Sequence, residues 1–142
     1  LGMRLRRGRE GRLLGLARGW GRGFGPQAML ACLPGEQHDL GLIAFGLALR
    51  ARGWRIAYLG GDLPIESVIS AARAVDPAFV VLTAVDPESF RRSTAELKSL
   101  ALTQSICLGG AGAREAEARA IGATLLDGGP VEEAQRLTEL AT

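Results

Sequence analysis

Ala28-Met29-Leu30-Ala31-Cys32-Leu33-Pro34-Gly35-Glu36-Gln37-His38-Asp39-Leu40-Gly41 is the stretch whose reading decides the fold. Residues 28–33 form a near-continuous apolar run, as expected of a strand covered on both faces. From 39 to 52 the chain reads as a helix that is apolar around most of its surface (Leu40, Leu42, Ile43, Phe45, Leu47, Leu49). Such a helix should be largely buried, in part against another domain. The loop between strand and helix holds His38, the only histidine among 142 residues. Ligands of open α/β sheets bind beyond the carboxyl ends of the strands. A lone imidazole there is in a functional location, although a solvated or helix-capping histidine fits the position equally well.

Outward from this stretch, strand and helix alternate to the end. Gly53 stops the first helix, and strands are predicted over 54–59, 78–83, 105–108 and 123–126. Helices are predicted from Pro64 to about 75, from Asp86 to about 102, over 113–121 and over 130–140. Pro64 suits a first helical turn; Asp86 and Pro87 suit an N-cap and the first helical position. Five strands joined by connections of crossover length imply a parallel sheet with right-handed connections. The fold class is therefore α/β: a flavodoxin-like (Rossmann-like) doubly wound sheet in the order 2-1-3-4-5. That order sets the ends of strands 1, 3 and 4 side by side, so His38, Thr83 and Gly109-Gly110 are expected on one edge.

A hydrophobic fraction of 47% with 23% charged residues is ordinary for one globular domain. No apolar run approaches the roughly 20 residues of a membrane span. Cys32 and Cys107 lie inside apolar strand-like runs and read as buried free thiols of a cytoplasmic protein. With one histidine and two separated cysteines, a zinc site made by the protein alone is not expected. Residues 1–22 carry seven arginines against Glu10, whereas the remainder has ten basic and fourteen acidic residues. The basic arm lacks a base-reading motif, so it reads as a solvated tail or as the end of a preceding domain. Residues 1–25 are expected to be a basic helical leader (a short helix over 5–17) followed by a flexible linker at Gly19, Gly21, Gly23 and Gly25. Residues 26–142 are the expected domain.

Taken as chemistry, the loop Glu36-x-His38-x-x-Gly41 offers one imidazole with two candidate carboxylate partners, Glu36 and Asp39. A ligating histidine usually donates its other ring N–H to such a group. Gly41 leaves space at the start of the helix, Thr83 supplies a hydroxyl expected to face the cleft, and Gly109-Gly110 leave a groove lined by backbone. The glycine pairs alone would read as turns. G-x-G-x-x-G is absent from the first strand–helix turn, which speaks against NAD. Glu36 alone would not make the Mg²⁺ pocket of a phosphoryl receiver.

One histidine still suffices for a metal whose other ligands come from a macrocycle. In this respect the chain resembles the cobalamin-binding domain, whose signature is a D/E-x-H-x-x-G loop, an S/T-x-L-like loop and a G-G loop. They stand here as Glu36-Gln37-His38-Asp39-Leu40-Gly41, Thr83-Ala84-Val85 and Gly109-Gly110. Pro34-Gly35-Glu36-Gln37-His38-Asp39-Leu40-Gly41 and Tyr58-Leu59-Gly60-Gly61-Asp62-Leu63-Pro64 are further similar to segments of MerR-type transcriptional regulators, which include light-sensing repressors. The resemblance implies a cobalamin cofactor, as adenosylcobalamin or methylcobalamin. His38 would replace dimethylbenzimidazole as the lower cobalt ligand, with Glu36, Asp39, Leu40 and Gly41 in the same loop. It also implies a nucleotide tail beside Thr83 and Gly109-Gly110, with Gly60 and Val85 close to the cofactor. DNA would be a partner only through a domain absent from this chain, the intact protein would be a homo-oligomer, and no membrane is involved.

Departures from the family pattern are Glu36 for aspartate, Thr83 for serine and Val85 for leucine, and no capping segment with a tryptophan and a Glu-His pair is present. Nothing in the chain supplies acid–base groups, so an enzyme is not expected. The alternatives are the cobalamin subunit of a mutase, a corrinoid methyl carrier, or a domain that has lost its cofactor.

Overall fold

The structure, a computed structural model, describes residues 19–34, 40–61 and 63–142. The helix expected over 5–17 and the candidate residues Glu36, His38 and Asp39 lie outside the described residues. The elements in order are β1 (Gln27–Cys32), α1 (Leu40–Ala51), β2 (Arg55–Gly60), α2 (Ile65–Val75), β3 (Phe79–Thr83), α3 (Pro87–Arg92), α4 (Thr94–Ala101), β4 (Ile106–Gly109), α5 (Glu115–Ile121), β5 (Thr124–Leu125) and α6 (Pro130–Leu140). The five strands form one parallel sheet in the order β2-β1-β3-β4-β5. This is the doubly wound order that the strand–helix alternation predicts.

Side chains alternate across a strand, and both faces of this sheet are covered. Met29 and Ala31 join Val80, Leu82, Ile106 and Leu108 in one core with Val68, Phe90, Leu97, Leu100 and Ile121 from α2 to α5. Ala28, Leu30 and Cys32 join Val81 and Cys107 in the other, against Leu42, Ile43, Phe45 and Leu49 of α1 and Ala134 and Leu137 of α6. Two apolar faces explain why β1 reads as a continuous hydrophobic run. Within this chain apolar α1 packs against α6. Trp54, fully buried behind α1, donates its indole N–H to Thr138 Oγ1 of α6 at 2.9 Å.

Two expectations change. The helix expected from Asp86 to about 102 is two helices, interrupted at Ser93 (φ −113°, ψ 16°). Thr94 Oγ1 donates to the Phe90 carbonyl at 3.0 Å, a side-chain bond of the kind that competes with the helical ladder. Asp86 is the N-cap as expected, accepting from the Glu88 amide at 3.0 Å, with Pro87 following. The second change is in residues 19–25, expected as a flexible linker. Trp20 is only 5% exposed, and its carbonyl accepts the outward Ile56 N–H of edge strand β2 at 2.6 Å. Burial of one large aromatic fixes a segment whose glycines suggested freedom.

Candidate functional site

The register aligns the carboxyl ends of three strands. Cys32 pairs with Thr83 across β1 and β3, and Thr83 pairs with Gly109 across β3 and β4. Beyond this row a cavity of about 210 Å³ opens, lined by Gly41, Leu42, Phe45, Val81, Thr83, Gly109, Gly110, Leu126, Gly128, Gly129, Pro130 and Glu133. Its walls are the start of α1, the ends of β3 and β4, and the N-terminus of α6.

Backbone makes much of the lining because side chains have no room. A Cβ on Gly109 would sit 3.4 Å from Thr83 Cγ2. Gly110 has φ +88°, and a Cβ there would lie 2.6 Å from the Ala84 carbonyl oxygen, so only glycine fits. The loops after β3 and β4 are tied together, since the Gly112 amide donates to that same Ala84 carbonyl at 2.8 Å.

Two polar groups stand in the otherwise apolar lining. Thr83 is 5% exposed, and its hydroxyl, expected to face the cleft, donates instead to Cys32 Sγ at 3.6 Å. Its methyl therefore contributes to the wall. The Glu133 carboxylate is buried, accepts from the Gly128 amide at 2.9 Å and lies 3.5 Å from Arg136 Nη1. Cys107 lies behind this wall. Burial pushes its thiol up to about 12, so it stays protonated and inert at neutral pH. Both cysteines are free and buried, as their apolar context predicts.

Of the residues singled out in the sequence, Gly41, Thr83, Gly109 and Gly110 converge on the cavity. Leu40 opens α1 and packs against the apolar core behind the cavity. Val85, 66% exposed, stands outside the cavity. Gly60 (φ +81°) ends β2 and pairs with Ala31, on the far side of β1 from Thr83. Glu36, His38 and Asp39 belong to the segment outside the described residues that joins Pro34 to Leu40.

Sequence reasoning missed Phe45, Leu126, Glu133 and the Gly128-Gly129-Pro130 turn. A second glycine pair directly after a strand was the available signal. Among the described residues, no group of three or more His, Cys, Asp or Glu side chains could hold a metal ion, and no helix is long and apolar enough to cross a membrane.

A narrow, glycine-lined apolar slot beyond parallel strands suits the flat, extended part of an organic cofactor, which approaches backbone closely. The glycine-rich lining present thus fits a cobalamin-type group. The profile of the B12 binding domain matches residues 26–140. The chain belongs to that family. This B12-binding domain is 36% identical over 94 residues to the HTH-type transcriptional repressor CarA of Myxococcus xanthus, covering 64% of this chain and 33% of the relative. It is also 36% identical over 94 residues to CarH of the same organism, over 63% and 31% of the two chains. Both relatives are repressors rather than enzymes, and the B12-binding domain spans about a third of their length.

Its fold is also that of solved cobalamin and corrinoid proteins. A cobalamin-binding protein of Desulfitobacterium hafniense superposes with a TM-score of 0.69 at 24% identity, over 80% of this chain and 58% of that one. The methanol:cobalamin methyltransferase complex of Methanosarcina barkeri gives 0.70 at 18%, over 81% and 46%. The monomethylamine corrinoid protein of the same organism gives 0.67 at 21%, over 94% and 65%.

Proposed function

We propose that this B12-binding domain is the cofactor-sensing part of a transcriptional regulator, with His38 as the lower axial ligand of cobalt. The observation that carries the reading is the meeting of Gly41, Thr83, Gly109 and Gly110 at one cavity. They come from all three signature loops and meet although they are separated by up to 69 positions in the chain, while Val85 of the second loop stands outside.

Each residue then has a part. His38 would offer one ring nitrogen to cobalt, with Glu36 or Asp39 accepting its other N–H and fixing the tautomer. Gly109, Gly110 and the Thr83 methyl would bound the tail slot, and Gly41 would let the cofactor approach α1. Val85 and Gly60 would lie near the macrocycle. When bound, cobalamin supplies a cobalt centre with an exchangeable upper ligand, which in the adenosyl form is photolabile. A ligand shifts an assembly equilibrium only by binding one state better than another, so occupancy at this edge would bias oligomerisation of the intact regulator.

Titrating the 142-residue chain with hydroxocobalamin, followed by visible absorption, tests the reading. Saturable binding is expected, and His38→Ala should shift the spectrum of the bound form. Binding by that variant with an unaltered spectrum would remove His38 from cobalt. For light sensing, a regulator carrying this domain and loaded with adenosylcobalamin should bind its operator differently in dark and light. Equal affinities would end that part of the reading.

A further inference from the structure

Helix α1 connects the cavity to the segment around Trp20. Gly41, Leu42 and Phe45 line the cavity. Gly46, the next residue, is buried against Trp20. A Cβ on Gly46 would lie 2.5 Å from Trp20 Cζ3, 2.7 Å from Cη2 and 3.1 Å from Leu30 Cδ1, so the indole occupies most of the volume a side chain would fill. The indole also meets Tyr58 of β2 edge-on, with ring centroids 5.8 Å apart and planes at 79°.

The main chain around Trp20 is held as firmly as the ring. Ile56 donates to the Trp20 carbonyl at 2.6 Å, and Arg50, in the last turn of α1, donates to the Arg22 carbonyl at 2.6 Å. Arg55 Nε donates to the Gly25 carbonyl at 2.8 Å. The strap 19–25 thus grips α1 at two points, Gly46 and Arg50, and ties both to edge strand β2. It precedes residue 26, where the family match begins.

From this arrangement we infer that Trp20 is a positioning residue for cofactor binding, acting through Gly46. The inference rests on the cofactor reading above. Close-packed interiors transmit displacement instead of absorbing it. A change of volume at the Trp20–Gly46 contact therefore moves α1, and with it the wall made by Gly41, Leu42 and Phe45. Because coupling between sites is reciprocal, a filled cavity also steadies the strap.

The test is a size-swap cycle on the 142-residue chain, titrated with hydroxocobalamin. Gly46→Ala should weaken binding roughly tenfold, as expected of overpacking. Trp20→Phe removes the ring atoms closest to the new Cβ, leaving only the end of the flexible Leu30 side chain at 3.1 Å, so the double variant should bind within about threefold of Trp20→Phe alone, a non-additive rescue. Overpacking outweighs the helix gain of alanine over glycine, so the melting temperature should fall as well; affinity is therefore read well below the transition, where a merely structural contact would leave binding by the folded variant unchanged. Undiminished affinity in Gly46→Ala, or no rescue in the double variant, overturns the inference while leaving the cofactor reading intact. Should Gly46→Ala not fold, hydrogen exchange of the wild type decides. Saturating hydroxocobalamin should slow exchange of the Ile56 amide, and an unchanged rate overturns the inference. A wild type that does not bind hydroxocobalamin overturns the cofactor reading and this inference together.

Discussion

Thr83 and Gly109 face each other across β3 and β4, and a side chain on Gly109 would begin 3.4 Å from the Thr83 methyl. The slot between the signature loops is thus as wide as two strand ends permit when one of them bears no side chain. Gly109→Leu should fill it. Hydroxocobalamin binding is expected to fall by at least about tenfold with the circular dichroism spectrum retained. Binding at wild-type strength would place the cofactor elsewhere.

Gly110 answers to a different constraint. With φ +88° and the Ala84 carbonyl where a Cβ would go, Gly110→Ala is strained in the folded chain whether or not a ligand is present. A loss of about 1–3 kcal/mol is expected, readable as a lower urea midpoint without ligand. A stability equal to wild type would show that this loop relaxes freely.

Trp54 is completely buried and its only ring N–H goes to Thr138 Oγ1 at 2.9 Å. Thr138→Val keeps the shape but leaves that donor unpaired, at a cost of about 1–3 kcal/mol. Chemical denaturation checks this, and because the bond joins α6 to the core behind α1, the variant should also bind cofactor more weakly.

Much of the fold was legible because β1, β3 and β4 are covered on both faces, which forces uninterrupted apolar runs with turns between them. The cavity was legible at Thr83 and at the paired Gly109 and Gly110, which line it, although the Thr83 hydroxyl turns to Cys32 and His38 lies outside the described residues. Glu133 was not, because an acid in the first turn of a helix usually complements the helix dipole in solvent; here it is buried and accepts from the Gly128 amide. Trp20 was hidden by its neighbours, since glycines on either side signal freedom and say nothing of the pocket at Gly46. The break at Ser93 depends on a hydroxyl bonding back to the helix, which composition does not reveal.

Cys107 gives the domain a pH dependence of known sign. Burial raises its thiol from 9.0 to about 12, so in alkali the unfolded chain ionises this group first. The contribution to stability is complete below pH 9.0 and is lost as pH rises toward about 12, with a slope of up to about 1.4 kcal/mol per pH unit. Denaturation midpoints between pH 8 and 11 should fall, and less steeply in Cys107→Ala. Identical slopes would mean that other groups set the alkaline limit.

Glu117 of α5 accepts from Arg91 Nε at 3.1 Å through one oxygen, while its buried Oε1 has no partner among the described residues. Arg91→Ala should lower the melting temperature by stranding the carboxylate. Glu117→Met, which removes the unpaired oxygen and fills the same space, should leave it equal or higher. The reverse order would show that the carboxylate itself is needed.

The central claim, ligation of cobalt by His38, is tested most directly by electron paramagnetic resonance of the chain loaded with cob(II)alamin after labelling its single histidine with nitrogen-15. Ligation by His38 gives doublet superhyperfine splitting from the labelled nitrogen. A triplet, from the unlabelled nitrogen of dimethylbenzimidazole still bound to cobalt, would contradict it.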